Sequence, residues 1–282
     1  MPTFITAVVP VTGLLFHKRG MGPYTTGMRV PPAHTTIIDG LQAKTFPGGK
    51  RAVLLVHGFG GTPRDMHYLA GRLHAAGMTV RVMRLPGHAT VGGDFNAACR
   101  KQWFRAVLDE YLELEAAYES VYVAGLSMGG VLTLLLASAL PVGRIALAAP
   151  AILLKPKAVA LAPLLRLFAT QSRRREPREE LPDEIARTVY DEYWARLWYH
   201  PLGELHKLRR FTLRRLKHVT CPVLTIVSRV DNTVPLSAAA LITERVSSQE
   251  KRIVTLENSA HVVVNDVEKE EVADQIVDWF SN

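Results

Sequence analysis

The chain has 282 residues, with 34 Lys+Arg against 26 Asp+Glu and a formal net charge of +8. With 48% hydrophobic and 21% charged residues it is too apolar and too weakly charged to be disordered. The 2 cysteines, Cys99 and Cys221, cannot build a disulfide framework and stand in no CxxC or metal-ligand spacing, so a reducing compartment is the easier expectation. The length suits one large α/β domain or two small ones. The charge leaves nucleic acid, an anionic membrane, an acidic substrate and simple solubility open.

In chain order, Phe4 to Phe16 is an apolar run broken by Pro10 and Gly13. It is too short to span a bilayer. As a signal peptide it lacks a basic n-region and a small-residue cleavage site, since His17-Lys18-Arg19 follows it. The run is read as a segment packed on the domain of a soluble cytoplasmic protein. Pro31-Pro32 is a break and Pro47-Gly48-Gly49 a turn, with room between them, over Thr35 to Phe46, for one or two short strands.

A regular pattern then begins. Ala52 to Val56 is a continuous apolar run, as expected of a strand buried on both faces of a parallel sheet. Thr62-Pro63 opens a helix that runs to about Ala76 and stops at Gly77. Further strands are expected at Met78–Met83, Val121–Gly125, Arg144–Ala149, Pro222–Ser228 and Arg252–Leu256. Helices are expected over Ala98–Tyr118, Met128–Leu140 and Asp266–Phe280. Strands alternating with helices imply βαβ units and a mostly parallel central sheet covered by helices on both faces. Residues 151 to 218 break the alternation. They hold a Pro-interrupted apolar segment (Ala151 to Ala169), a basic run (Arg173, Arg174, Arg175, Arg178) and an aromatic helix around Tyr190, Tyr193, Trp194, Leu197 and Trp198. With no strand signal, they read as a small helical cap, inserted between a core of residues 1–150 and 219–282.

The third of these strands ends in Gly125-Leu126-Ser127-Met128-Gly129, the G-x-S-x-G pattern in which a sharp strand-to-helix turn lifts a serine above the sheet. The turn strains the serine backbone and leaves no space for side chains two residues to either side. A serine hydroxyl needs a base, oriented in turn by a third group. His261 is the one histidine beyond the fifth strand of this series, and it follows the sixth. Asp231 follows the strand before it, in Ser228-Arg229-Val230-Asp231-Asn232-Thr233-Val234-Pro235. Both belong at the carboxyl edge of the sheet, where open α/β sheets bind ligands. The first strand of the series ends in His57-Gly58-Phe59-Gly60-Gly61, whose glycines let the backbone approach the serine. The Phe59 and Met128 amides can then form an oxyanion hole. His57 is read as a structural histidine bonding loop backbone.

With Arg84-Leu85-Pro86-Gly87-His88 and Ser259-Ala260-His261 added, these motifs resemble the α/β-hydrolase family from about residue 50 to the end. Within it the chain looks most like compact bacterial carboxylesterases and monoacylglycerol lipases. The resemblance implies a serine hydrolase without cofactor or metal, with Ser127, Asp231 and His261 as triad and Phe59 and Met128 as oxyanion amides. The expected activity is hydrolysis of short- to medium-chain acyl esters or monoacylglycerols. The same triad acting on an amide, thioester or carbon–carbon bond, and a non-catalytic binding protein on this scaffold, remain alternatives. Residues 151–218 carry 15 Lys+Arg and 8 Asp+Glu, a net of +7. Since almost all the excess charge sits in the cap, a nucleic-acid partner is not expected. The cap's basic and apolar residues suggest either a solvated face or contact with an anionic lipid surface or an acidic substrate near the entrance.

Overall fold

The computed structural model describes residues 30–155, 171–173 (backbone only), 181 and 183–282. The apolar run Phe4–Phe16, the cap residues 156–170, and Arg174, Arg175 and Arg178 lie outside the described residues.

The strands are β1 (Lys44–Phe46), β2 (Arg51–Val56), β3 (Thr79–Val82), β4 (Ser120–Leu126), β5 (Ile145–Ala148), β6 (Gln171–Arg173), β7 (Arg196–Trp198), β8 (Val223–Ser228) and β9 (Lys251–Leu256). The helices are α1 (His67–Ala75), α2 (Gly92–Ala97), α3 (Arg100–Ala117), α4 (Met128–Ala137), α5 (Glu184–Val189), α6 (Tyr199–Leu213), α7 (Ser237–Arg245) and α8 (Lys269–Ser281). The central sheet has 7 strands in the order β1-β3-β2-β4-β5-β8-β9. β1 is antiparallel to β3, and every other pairing is parallel.

Alternation along each strand splits the core. Ala52, Leu54 and Val56 of β2 pack on one side with Trp103 of α3, Leu132 of α4, Leu205 of α6 and Ile242 of α7. Val53 and Leu55 pack on the other with Leu69 and Leu73 of α1 and Ile276 and Trp279 of α8. Both faces of β2 are therefore dry, which is why its sequence reads as an unbroken apolar run rather than an alternating one. The chain leaves β2 for β3 on one side and returns to β4 on the other. The connections from β2 and β4 thus leave in opposite directions, the switch point at whose carboxyl edge open α/β sheets form a ligand crevice.

The six strands expected from apolar runs lie within one residue of their observed ends. The inserted stretch differs from expectation. It contains a two-stranded antiparallel ribbon, β6 with β7. The aromatic run expected as one helix is a π-helical turn, Tyr190–Trp194, followed by β7. Strands of three residues carry too little periodicity to be seen in sequence. In addition α6 is not peripheral: Leu202, Leu205 and Leu208 join the core, and buried Glu204 binds both Lys207 and Arg100 of α3.

Candidate active site

Ser127 sits between β4 and α4 with φ 54° and ψ −112°, outside the normal regions for a residue with a side chain. The flanking glycines show what allows this. A Cβ at Gly125 would lie 2.3 Å from the Gly129 carbonyl carbon, and one at Gly129 would lie 2.0 Å from the Val56 oxygen. α4 thus starts hard against β2, with Ser127 at its N-terminal end. The Ser127 amide is tied to the Ala148 carbonyl (2.8 Å), which fixes the turn against β5.

Asp231 follows β8 and is 1% exposed. Its Oδ1 accepts the amides of Thr233 (2.6 Å) and Val234 (3.0 Å), and its Oδ2 lies 2.8 Å from His261 Nδ1. Burial alone would raise this carboxyl. The His261 hydrogen bond and charge, with the two amides, outweigh burial and hold it below the usual carboxylate range. The second ring nitrogen of His261, Nε2, lies 2.9 Å from Ser127 Oγ. One imidazole therefore bridges a buried carboxylate and a strained serine. With Asp231 ionised, Nδ1 carries the proton and Nε2 is free to accept one from the serine.

The His261 loop is itself held by carboxylates. Glu268 Oε2 accepts the Ser259 amide (2.7 Å), the Ser259 hydroxyl (2.6 Å) and the Asn258 amide (3.0 Å), and Oε1 accepts the Glu257 amide (3.0 Å). Asp266 accepts the Ala260 amide. The Ser259 hydroxyl, opposed by burial and helped by the three amides, pushes the Glu268 pKa down to about 2.

Opposite His261 lies the loop after β2. A Cβ at Gly58 would come 3.3 Å from Ser127 Cβ, so the loop passes beside the serine as expected. Neither the Phe59 nor the Met128 amide donates a hydrogen bond among the described residues. His57 is fully buried, donates from Nδ1 to the Gly58 carbonyl (2.9 Å) and accepts the Leu85 amide at Nε2 (3.1 Å). Burial pushes its pKa down to about 4, assisted by the Arg84 charge and opposed by the Gly58 bond. It is a neutral brace between two loops. His88 is buried beside it, with Nδ1 on the Pro86 carbonyl. Among the described residues no group of His, Cys, Asp and Glu could hold a metal ion.

The model of the alpha/beta hydrolase family matches residues 53–275, which takes in the whole arrangement just described. The chain belongs to the alpha/beta hydrolase family. A thermostable monoacylglycerol lipase from Bacillus sp. (strain H-257) is 32% identical over 255 residues, covering 87% of this chain and 96% of that protein. A carboxylesterase from Bacillus subtilis (strain 168) is 27% identical over 239 residues, covering 84% and 94%. Among solved structures, one belonging to LipS and LipT, two metagenome-derived lipolytic enzymes, is 26% identical with a TM-score of 0.78, covering 87% of this chain and 99% of that one. The monoacylglycerol lipase of Paleococcus ferrophilus, at 22% identity, TM-score 0.70 and coverage of 85% and 98%, shares the fold.

On this alpha/beta hydrolase frame the structure brings Ser127, His261 and Asp231 into one hydrogen-bonded chain and sets the loop of Phe59 beside Ser127. Two residues at the site had escaped the sequence reading. Glu268 falls in the first turn of the helix expected over Asp266–Phe280 and by itself carries no distinguishing local signal there. Trp194 looked like part of an aromatic helix face, yet its indole N–H reaches the Gly60 carbonyl. The acidic pair Asp266 and Glu268 soon after His261 was the one available signal for the first.

Proposed function

We propose that this chain is a serine hydrolase of carboxylic esters, acting on short- to medium-chain acyl esters or monoacylglycerols through an acyl-enzyme. The observation that carries the reading is the single imidazole of His261 engaged by Asp231 on one nitrogen and by Ser127 on the other. The relationship to a monoacylglycerol lipase and a carboxylesterase supports the ester as substrate class.

In the first step Ser127 Oγ gives its proton to His261 Nε2 and bonds to the ester carbonyl carbon. The carbonyl π pair moves onto oxygen. The Phe59 and Met128 amides receive this oxyanion, and Met128 adds the positive end of α4. Collapse expels the alcohol, which takes the proton from His261. Water, deprotonated by His261, then repeats the sequence on the acyl group and releases the acid. Asp231 keeps Nδ1 protonated and stabilises the imidazolium formed in each half.

Within the inserted residues 151–218, the part outside α6 serves in this reading as a cap over the acyl pocket, with the partly buried Leu153 and Leu154 among its apolar lining and Ile152 in the core. Packing divides this stretch: residues 183–198 touch the loops around the crevice, whereas α6 is built into the core. The net charge of +7 in the insertion supports contact with an anionic lipid surface. Hydrolysis of p-nitrophenyl esters of graded chain length by the wild type and by Ser127→Ala tests the assignment. Full activity in the variant removes Ser127 from the chemistry. No activity of the wild type on any ester moves the assignment to another bond or to a binding role.

A further inference from the structure

The π-helical turn Tyr190–Trp194 touches the oxyanion loop at Gly60 and backs the Phe59 ring through Phe95. π-Turns of this kind carry an extra residue and recur at functional sites. On one flank, the Trp194 indole N–H donates to the carbonyl of Gly60, a residue at φ +69° that follows Phe59 directly. On the other, the Phe59 ring packs 5.3 Å from the Phe95 ring, which is stacked on Tyr193 at 4.9 Å and 18°. Tyr193 is fixed in its turn: it is 1% exposed, its hydroxyl accepts the Ala89 amide (3.3 Å), and its carbonyl accepts the Trp198 indole (3.1 Å). Glu192 accepts the Gly92 amide (3.1 Å), and Asp183 pairs with Arg64 just beyond the loop. A side chain at Gly92 would stand 2.4 Å from the Glu192 carbonyl and 2.7 Å from Trp198 Cζ2, so the two segments meet without a gap.

These contacts have a consequence for the reaction. The glycines at 58, 60 and 61 make the loop soft, and the protein around them must set the direction of the Phe59 amide. One tie, the Trp194 hydrogen bond one residue after Phe59, comes from this turn directly, and the ring contact of Phe59 with Phe95 is backed by Tyr193, the adjacent residue of the same turn. We propose that Trp194, with Tyr193 behind it, is a positioning residue for the oxyanion loop, so that docking of residues 183–198 sets the aim of the Phe59 amide. The inference rests on the ester-hydrolase reading. It adds that the cap segment acts on turnover, through the oxyanion, as well as covering substrate.

The test uses the full chain with a soluble p-nitrophenyl ester and a trifluoromethyl ketone. Ser127 Oγ bonds to the ketone's carbonyl carbon and gives its proton to His261, and the carbonyl π pair moves onto oxygen, leaving an oxyanion for the Phe59 and Met128 amides. Trp194→Phe keeps a ring and removes the N–H. It is expected to lower kcat about tenfold or more with KM within about twofold, and to weaken the ketone by the same factor as kcat, short of the 10²–10³ lost when a donor is deleted outright. Tyr193→Leu, which removes the ring stack and leaves Trp194 in place, is expected to show the same kcat-only pattern and covers the case in which Trp194→Phe does not fold. Unchanged kcat in a folded variant overturns the proposal. A raised KM with unchanged kcat and ketone affinity also overturns it, since Trp194 would then only line the substrate path. Ser127→Ala run alongside separates the two claims. If it retains turnover the ester-hydrolase reading fails, and if it is dead while Trp194→Phe matches the wild type only the positioning role fails.

Discussion

Replacing Asp231 by asparagine changes one atom and inverts the hydrogen-bond logic of the site. The carboxylate receives three donors: the Thr233 and Val234 amides on Oδ1 and His261 Nδ1 on Oδ2. Asparagine can keep its oxygen on the two amides and so preserve the loop, but its NH2 then faces Nδ1. The imidazole must present a lone pair there and carry its proton on Nε2, 2.9 Å from Ser127 Oγ. In that tautomer Nε2 cannot take the serine proton, and the imidazolium has lost its counter-charge. The expected loss is about 10⁴ in kcat, or about 5.5 kcal/mol of transition-state stabilisation. Stability should barely move, because both loop amides keep an acceptor. Asp231→Ala separates the two roles. It strips the acceptor from the Thr233 and Val234 amides at a site 1% exposed, so about 1–3 kcal/mol per amide is lost from stability as well. The assay pairs steady-state hydrolysis of a p-nitrophenyl ester with thermal melts of the three proteins. An Asp231→Asn protein with more than a tenth of wild-type kcat, or one that melts as low as Asp231→Ala, would refute the reasoning.

Two further expectations concern groups around the site. His57 should make the protein acid-sensitive. Its folded pKa is depressed to about 4, so its contribution is complete above the unfolded value near 6.5 and is lost as pH falls through about 4. Over that window the wild type should lose about 3 kcal/mol of urea-measured unfolding free energy that His57→Gln does not lose; parallel pH profiles would contradict this. Glu268→Ala removes the shared acceptor of the Glu257, Asn258 and Ser259 amides ahead of His261. A looser imidazole is expected to lower kcat between about 10- and 10²-fold, with KM little changed. Wild-type kcat in that variant would show that the loop holds its place without the clamp.

The inner strands of the parallel sheet were legible because they are buried on both faces, whereas the edge strand β9 is largely exposed. A run such as Ala52 to Val56 then has one reading. The turn around Ser127 was legible because its constraint is local: Gly125 and Gly129 have no room for a Cβ, and the sequence shows glycine at both. Asp231 and His261 were placed by chain order and by following strands at the carboxyl edge, and their side chains do meet in space. What could not be read depends on contacts between distant segments. The ribbon β6–β7 pairs residues 171–173 with 196–198, each run too short to show a period. Trp194 reaches Gly60 across 134 positions, and nothing in either local sequence announces the pairing. Glu268 reads as a helix-start acid, because its donors are backbone amides that every loop possesses.

The central claim is that the Ser127 hydroxyl is the group that bonds to substrate. Intact-mass and peptide mass spectrometry of the protein after brief treatment with a fluorophosphonate ester tests it most directly. The prediction is one phosphonyl group per chain, on Ser127, formed with loss of fluoride and in parallel with loss of esterase activity, and no label in Ser127→Ala. Label on another residue with esterase activity intact, or an unlabelled protein that still hydrolyses esters, would contradict it.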